Sequence, residues 1–227
     1  MERRDIEIMA PVGSYEALHA AIQAGAGSVY FGVGNLNMRS RSSNNFTIND
    51  LREIASIAKE HNVKSYLTVN TVIFDNELNE LQEIITVAKE SGITAIIASD
   101  MAAIMAARTI GIEVHISTQL NITNIEALKF YAQFADVVVL AREMDLEKVY
   151  EINRQIKEQQ IKGPGGKLVQ TEMFIHGALC MAVSGKCYLS LHEMNASANR
   201  GDCMQVCRRG YTVTEKELGY QLDIDNE

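Results

Sequence analysis

The chain has 227 residues, of which 47% are hydrophobic and 22% charged, with two prolines and a formal net charge of −8. That length supports one sizeable core, and no apolar run approaches the ~20 residues a membrane-spanning helix needs. An acidic chain has no global attraction for nucleic acid, which excludes a non-specific nucleic-acid binder but not an enzyme that docks RNA on a local basic patch.

The first five residues are mostly charged and lead straight into an apolar stretch. They lack the apolar segment and small-residue cleavage site of a secretion signal, so a cytoplasmic protein is expected. Residues 6–10 read as a strand. Ser14 has the chemistry of an N-cap, for a helix that ends near Gly25. Residues 28–33 form a second strand, followed by a long loop over 34–46. Thr47 starts a helix that runs to His61, residues 63–69 are the third strand, and a helix covers 76–91. The nearly continuous apolar run 93–98 reads as a buried strand. Asp100 caps a helix that ends at Gly111. Strand 113–117, helix 124–134, strand 136–141 and a charged helix over 146–159 follow. A glycine-rich loop at 163–166 leads to a seventh strand over 168–175.

Seven strands alternating with six helices imply a parallel sheet. The strand starts recur about every 27 residues, which suits a TIM-like (β/α) barrel. A doubly wound sheet is the alternative, but no glycine-rich dinucleotide fingerprint follows the first strand. Polar residues also recur just after the strands: Asn70, Asp100, Ser117 to Gln119, Arg142, Glu143 and His176. In a barrel these positions converge on one face. Residues 212–214 and 220–222 suit a hairpin rather than an eighth parallel strand. The expected organisation is therefore a barrel portion over 1–175, possessing fewer than eight strands, and a cysteine-rich metal-binding segment over 176–227 packed on it. The abrupt end suggests a truncated chain.

All four cysteines, Cys180, Cys187, Cys203 and Cys207, fall in that second segment, among Gly177, Gly185 and Gly201. Four thiolates satisfy either a tetrahedral zinc ion or an iron–sulfur cluster. The spacing is not the CxxC…CxxC of a zinc ribbon. Cysteine is also often a small buried hydrophobe, but clustering favours ligation over four separate buried thiols. Disulfides are disfavoured without a secretion signal.

These residues carry a resemblance. The stretch EMFIHGALCMAVSGKCYLS at 172–190 closely resembles the signature of the peptidase U32 family, the collagenase-like proteases, and NRGDCMQVCR at 199–208 resembles its next block. Upstream, APVGS at 10–14, VYFG at 29–32, STQLN at 117–121 and ARE at 141–143 are similar to other family motifs. The resemblance implies a TIM-like barrel whose cysteines ligate a [4Fe-4S] cluster, with zinc as the alternative in a purified fragment. It also implies a continuation with a further cysteine, which in some relatives is the fourth ligand in place of Cys207. It implies two activities. One is oxygen-independent hydroxylation of tRNA or rRNA, a tRNA uridine above all, with prephenate as a partner metabolite. The other is proteolysis. Ubiquinone precursors are a further family substrate.

The residues weigh against proteolysis. His176 and His192 lie near thiols in sequence, but four clustered cysteines fit metal binding better than one nucleophile. No HExxH motif or Gly-x-Ser-x-Gly elbow is present. Gln119, Arg142 and His176 are the catalytic candidates, from their places after strands. Arg39, Arg41 and Asn121 are the substrate-binding candidates, the two arginines equally readable as solvated loop charges. Lys186, Arg200, Arg208 and Arg209 put positive charge beside the cysteines, to balance thiolates or receive an RNA backbone. His115 reads as a packed or lumen histidine and Glu143 as a partner for Arg142.

Overall fold

The computed structural model describes residues 6–38, 40, 46–177 and 180–224. Arg39 and Arg41 lie outside the described residues. Seven strands, β1 (Met9–Pro11), β2 (Ser28–Gly32), β3 (Lys64–Val69), β4 (Ala95–Ala98), β5 (Glu113–Ile116), β6 (Val137–Val139) and β7 (Gln170–Glu172), form one sheet in sequential order. Every neighbouring pair is parallel. A doubly wound sheet reverses its order at a switch point, whereas the wall of a barrel never does. The strands form a curled half-barrel, and among the described residues no ladder joins β7 back to β1.

The helices α1 (Tyr15–Gln23), α2 (Leu51–Glu60), α3 (Leu78–Ser91), α4 (Met101–Thr109), α5 (Ile125–Tyr131) and α6 (Leu146–Glu158) alternate with the strands. Local chemistry sets their starts. Ser14 Oγ accepts from the Ala17 N–H at 3.2 Å, Asp100 Oδ1 from Ala102 at 2.9 Å and Asn124 Oδ1 from Ala127 at 2.9 Å. Each such cap satisfies a backbone donor that the helix itself leaves open, worth about 1 kcal/mol. Gly92 ends α3 in the left-handed region at φ 84°.

Strand residues alternate between two faces. Val29, Phe31, Leu67, Ile96, Ile116 and Val138 pack outward into one core with Leu18, Ile54, Ile85, Ile104, Leu128 and Ile152 of the helices. The inner face carries a smaller apolar group of Tyr66, Ala95 and Ile97, with Met9 and Tyr30 against it.

Two differences from the sequence reading matter. The seventh strand ends at Glu172 rather than Ile175. It pairs with β6 over three residues only, and on its other side no described strand supports it, so Phe174 and Ile175 leave the sheet, 48% and 80% exposed. The cysteine segment, for which no elements were expected before the hairpin, contains short 3-10 turns and α7 (Leu189–Met194). The expected hairpin is present as β8 (Tyr211–Thr214) antiparallel to β9 (Gln221–Ile224). Among the described residues no helix is long and apolar enough to cross a membrane.

Candidate functional site

The cysteine segment lies across the C-terminal ends of the strands. All four cysteines line one cavity of about 410 Å³, with Met38, Gln119, Arg142 and Phe174 also in its wall. None of the four is in a disulfide. Parallel strands bring the residues that follow them to one rim, which is why Gln119 after β5 and Arg142 after β6 reach the same space as the thiols.

The loops that carry the cysteines are tied to the barrel by specific bonds. Ser184, between Cys180 and Cys187, is fully buried and holds a left-handed backbone at φ 48°. Its N–H donates to Glu143 Oε1 at 3.1 Å and its hydroxyl to Asn121 Oδ1 at 2.7 Å. The Cys187 N–H donates to Asn199 Oδ1 at 3.1 Å, and the Asn199 carbonyl accepts from Val72 N–H at 3.4 Å. The Met204 N–H, next to Cys203, donates to Ser190 Oγ at 3.0 Å. The Leu189 N–H donates to Cys187 Sγ at 3.3 Å. Gly201 has φ +85°, and a Cβ there would sit 2.5 Å from the Asn37 carbonyl oxygen. Only glycine lets this turn approach the loop after β2 so closely.

Arg200 fastens the segment to the loop between β3 and α3. Its guanidinium donates to the Val72 carbonyl at 2.7 Å and to both oxygens of Glu77, one at 2.7 Å. It also lies 4.3 Å from the centroid of the Phe74 ring. The bond from Arg200 holds the Glu77 carboxyl below the usual range, against a smaller upward push from burial. Arg200 is therefore engaged inside the protein, a correction to its expected place among the charges that balance thiolates or face RNA.

Gln119 is held from one side. Its Oε1 accepts from Ser117 Oγ and, at 3.4 Å, from Asn70 Nδ2. Asn70 in turn accepts from the Met38 N–H at 3.1 Å. Arg142 does not pair with Glu143, whose carboxylate takes the Ser184 N–H instead. The Arg142 Nε is buried with no hydrogen-bond partner. Asn121 is not in the cavity wall but positions Ser184. His176 lines a second cavity of about 510 Å³, with Pro11, Tyr30, Arg142 and Phe174. His192 is 82% exposed beside Glu193. Neither histidine lines the cysteine cavity.

Inside the half-barrel lies a polar group that sequence reasoning missed apart from His115. Lys64 Nζ bonds Glu7 Oε2 at 2.5 Å, and the Tyr66 hydroxyl donates to Glu7 Oε1 at 2.7 Å. Burial pushes the Glu7 carboxyl up, but its bonds to Lys64 and Tyr66 outweigh this and leave it below the usual range. His115 Nε2 lies 3.2 Å from Glu113 Oε1, and that bond holds Glu113 low. Burial raises the Glu172 carboxyl, His115 opposes this and Glu7 reinforces it. The signal was present in the alternation on each strand: Glu113 and His115, like Gln170 and Glu172, are two residues apart and so share a face.

The donor set suits a soft metal group, because thiolates favour zinc and iron–sulfur centres. Among the described residues, no three histidine, cysteine or acidic side chains gather tightly enough for a single ion. The four cysteines are instead spread over the wall of their cavity.

Comparison with known proteins places these features. The model of peptidase family U32 matches residues 13–226. A collagenase of Porphyromonas gingivalis (strain ATCC BAA-308 / W83) is 62% identical over 227 residues, which is 100% of this chain and 55% of that protein. The tRNA hydroxylation protein P1 of Bacillus subtilis (strain 168) is 32% identical over 223 residues, 97% of this chain and 49% of that protein. The chain thus spans about half the length of these relatives. The solved structure of the U32 peptidase Mk0906 superposes with a TM-score of 0.55 at 12% identity, covering 74% of this chain and 66% of that one, a likeness of fold.

Proposed function

Because the chain belongs to peptidase family U32, we propose that it is part of an iron–sulfur protein that hydroxylates a uridine of transfer RNA without molecular oxygen. The observation that carries this reading is the single cavity at the ends of the strands, lined by all four cysteines together with Gln119 and Arg142. Four cysteines in one cavity wall offer one thiolate per iron of a cluster, or the four ligands of a zinc ion, and the family resemblance turns the choice toward the cluster. Cys180, Cys187 and Cys203 are the firm ligands of the proposal, with Cys207 the fourth in this chain. When bound, the cluster supplies one-electron chemistry.

The chain's own residues do the remaining work. The Leu189 N–H donates to Cys187 Sγ and so fixes the direction of that side chain. Because Gln119 Oε1 is held by Ser117 and Asn70, its amide nitrogen is left to donate into the cysteine cavity. Lys186, Arg208 and Arg209 supply local positive charge for an RNA backbone on an otherwise acidic chain. The prephenate expectation rests on the family resemblance alone. The RNA target draws support from the relative named as a tRNA hydroxylation protein.

Peptidase activity is the second reading, favoured by the collagenase at 62% identity. A cysteine nucleophile needs a base within hydrogen-bonding reach, and neither candidate histidine is in the wall of the cysteine cavity. The test is nucleoside mass spectrometry of tRNA from a strain lacking the gene. Hydroxylated uridine should disappear and return with the wild-type gene but not with Cys180→Ala. Unchanged hydroxylated uridine, or peptide cleavage that survives Cys180→Ala, overturns the proposal.

A further inference from the structure

The second cavity lies at the open seam of the half-barrel, where the end of β1 and the middle of β2 face the segments after β6 and β7. Its volume, about 510 Å³, falls in the range of small-molecule pockets. Arg142 and Phe174 line both this cavity and the one lined by the cysteines, so an occupant of one abuts the other. The Arg142 Nε is buried without a hydrogen-bond partner. Among the described residues no ion pair joins its guanidinium to a carboxylate; the neighbouring Glu143 accepts from the Ser184 N–H. Arg142 as a whole is half-buried at the cavity wall, and a buried donor left without a partner carries a desolvation cost. A planar guanidinium matches the two-oxygen edge of a phosphate or a carboxylate. Around it stand Tyr30, Phe174 and His176, three flat rings on which a base can stack. Phe174 is 48% exposed, so a ring at the mouth is open to such a contact.

We propose that this cavity binds one nucleotide turned out of its strand, with Arg142 as the ligand of its phosphate and the aromatic wall as the seat of its base. The assignment rests on the RNA-modifying reading and names its substrate pocket. An enzyme that acts on a base takes that base out of its stack into a closed pocket. Here the pocket adjoins the cysteine cavity, which puts the base next to the redox group of the proposal.

The test is equilibrium dialysis of the full-length, metal-loaded protein with uridine 5′-monophosphate, uridine and malonate. The monophosphate should bind roughly 10- to 100-fold more tightly than uridine. Arg142→Gln should reduce it to the level of uridine and leave uridine itself unchanged, and Arg142→Lys should recover part of the loss. The Arg142→Gln protein should melt no lower than wild type, because Nε has no partner to lose. Phe174→Ala should weaken both uridine ligands roughly 5- to 100-fold through lost stacking. Equal binding of uridine and its monophosphate, or monophosphate binding indifferent to Arg142, overturns the assignment. So does Arg142-dependent binding of malonate without binding of the monophosphate, which marks a free carboxylate as the ligand. The two claims fail separately. Arg142-dependent monophosphate binding with unchanged tRNA in the deletion strain upholds the pocket and removes the RNA reading. Loss of hydroxylated uridine with monophosphate binding blind to Arg142 does the reverse.

Discussion

Replacing Arg200 by alanine removes the fastening between the cysteine segment and the barrel. The side chains of Arg200 and Glu77 are 28% and 14% exposed, so solvent replaces the lost contacts only in part. The substitution deletes two charge-assisted bonds to Glu77, one to the Val72 carbonyl, and the stack on Phe74. Bonds to charged groups contribute about 1.5–3 kcal/mol each in general and do not add. Breaking a buried pair from one side costs about 3–5 kcal/mol. Discounting for the partial exposure of Arg200 leaves an expected loss of about 2–3 kcal/mol. The loss should fall on the docking of the segment rather than on the sheet, raising its opening equilibrium roughly 30- to 150-fold. Native-state hydrogen exchange reads this directly: the amides of Cys187 and Met204 should exchange faster, while those of β3 and β4 hold. Arg200→Lys should be intermediate, since a lysine cannot form the two-pronged bond. The sign with pH is also set. The Glu77 carboxyl is held below its unfolded value, first by Arg200, so this stabilisation is present above the ordinary carboxylate range and is lost as pH falls through the lowered value. Unchanged exchange at Cys187 and Met204, or a uniform rise across the whole sheet, refutes the reasoning.

Glu172 should behave in the opposite way. Its carboxyl is raised, chiefly by burial, so the folded state binds its proton more readily than the unfolded chain. The charged form therefore lowers stability above the raised value, and that penalty fades as pH falls through it toward the unfolded value. Glu172→Gln should melt above wild type at neutral pH, with the gap closing by about pH 4; a gap independent of pH contradicts this. Gly201→Ala combines a left-handed φ with a Cβ only 2.5 Å from the Asn37 carbonyl oxygen, and should lower stability by about 2–4 kcal/mol in a denaturant titration. A loss below about 0.5 kcal/mol would show that the turn relaxes freely.

The order of elements was legible because its signals are local. Ser14, Asp100 and Asn124 announce helix starts through their own side-chain oxygens, and the structure uses all three as caps. The apolar runs of the strands announce a sheet covered by helices. The end of β7 was not legible, because the apolar run to Ile175 says nothing of the missing neighbour that would have kept it in the sheet. In the site, the grouping of four thiols around one cavity with Gln119 and Arg142 followed from chain order and a barrel rim. Phe174 and the second cavity did not, since Pro11, Tyr30, Arg142 and His176 are far apart in sequence and meet only through the curl of the sheet. Ser184 and Asn199 were also missed. They act by hydrogen bonds that depend on a left-handed turn at a non-glycine residue and on the packing of a loop, neither of which leaves a mark in composition.

The central claim is that the four thiols around one cavity hold an iron–sulfur cluster. Iron, zinc and acid-labile sulfide should be measured on full-length protein purified without oxygen, together with its visible absorption. The account predicts about four irons and four sulfides per chain, with broad thiolate-to-iron absorption that is lost in Cys180→Ser, Cys187→Ser and Cys203→Ser. One zinc per chain without sulfide, or a protein free of metal whose tRNA-modifying activity is intact, would contradict it.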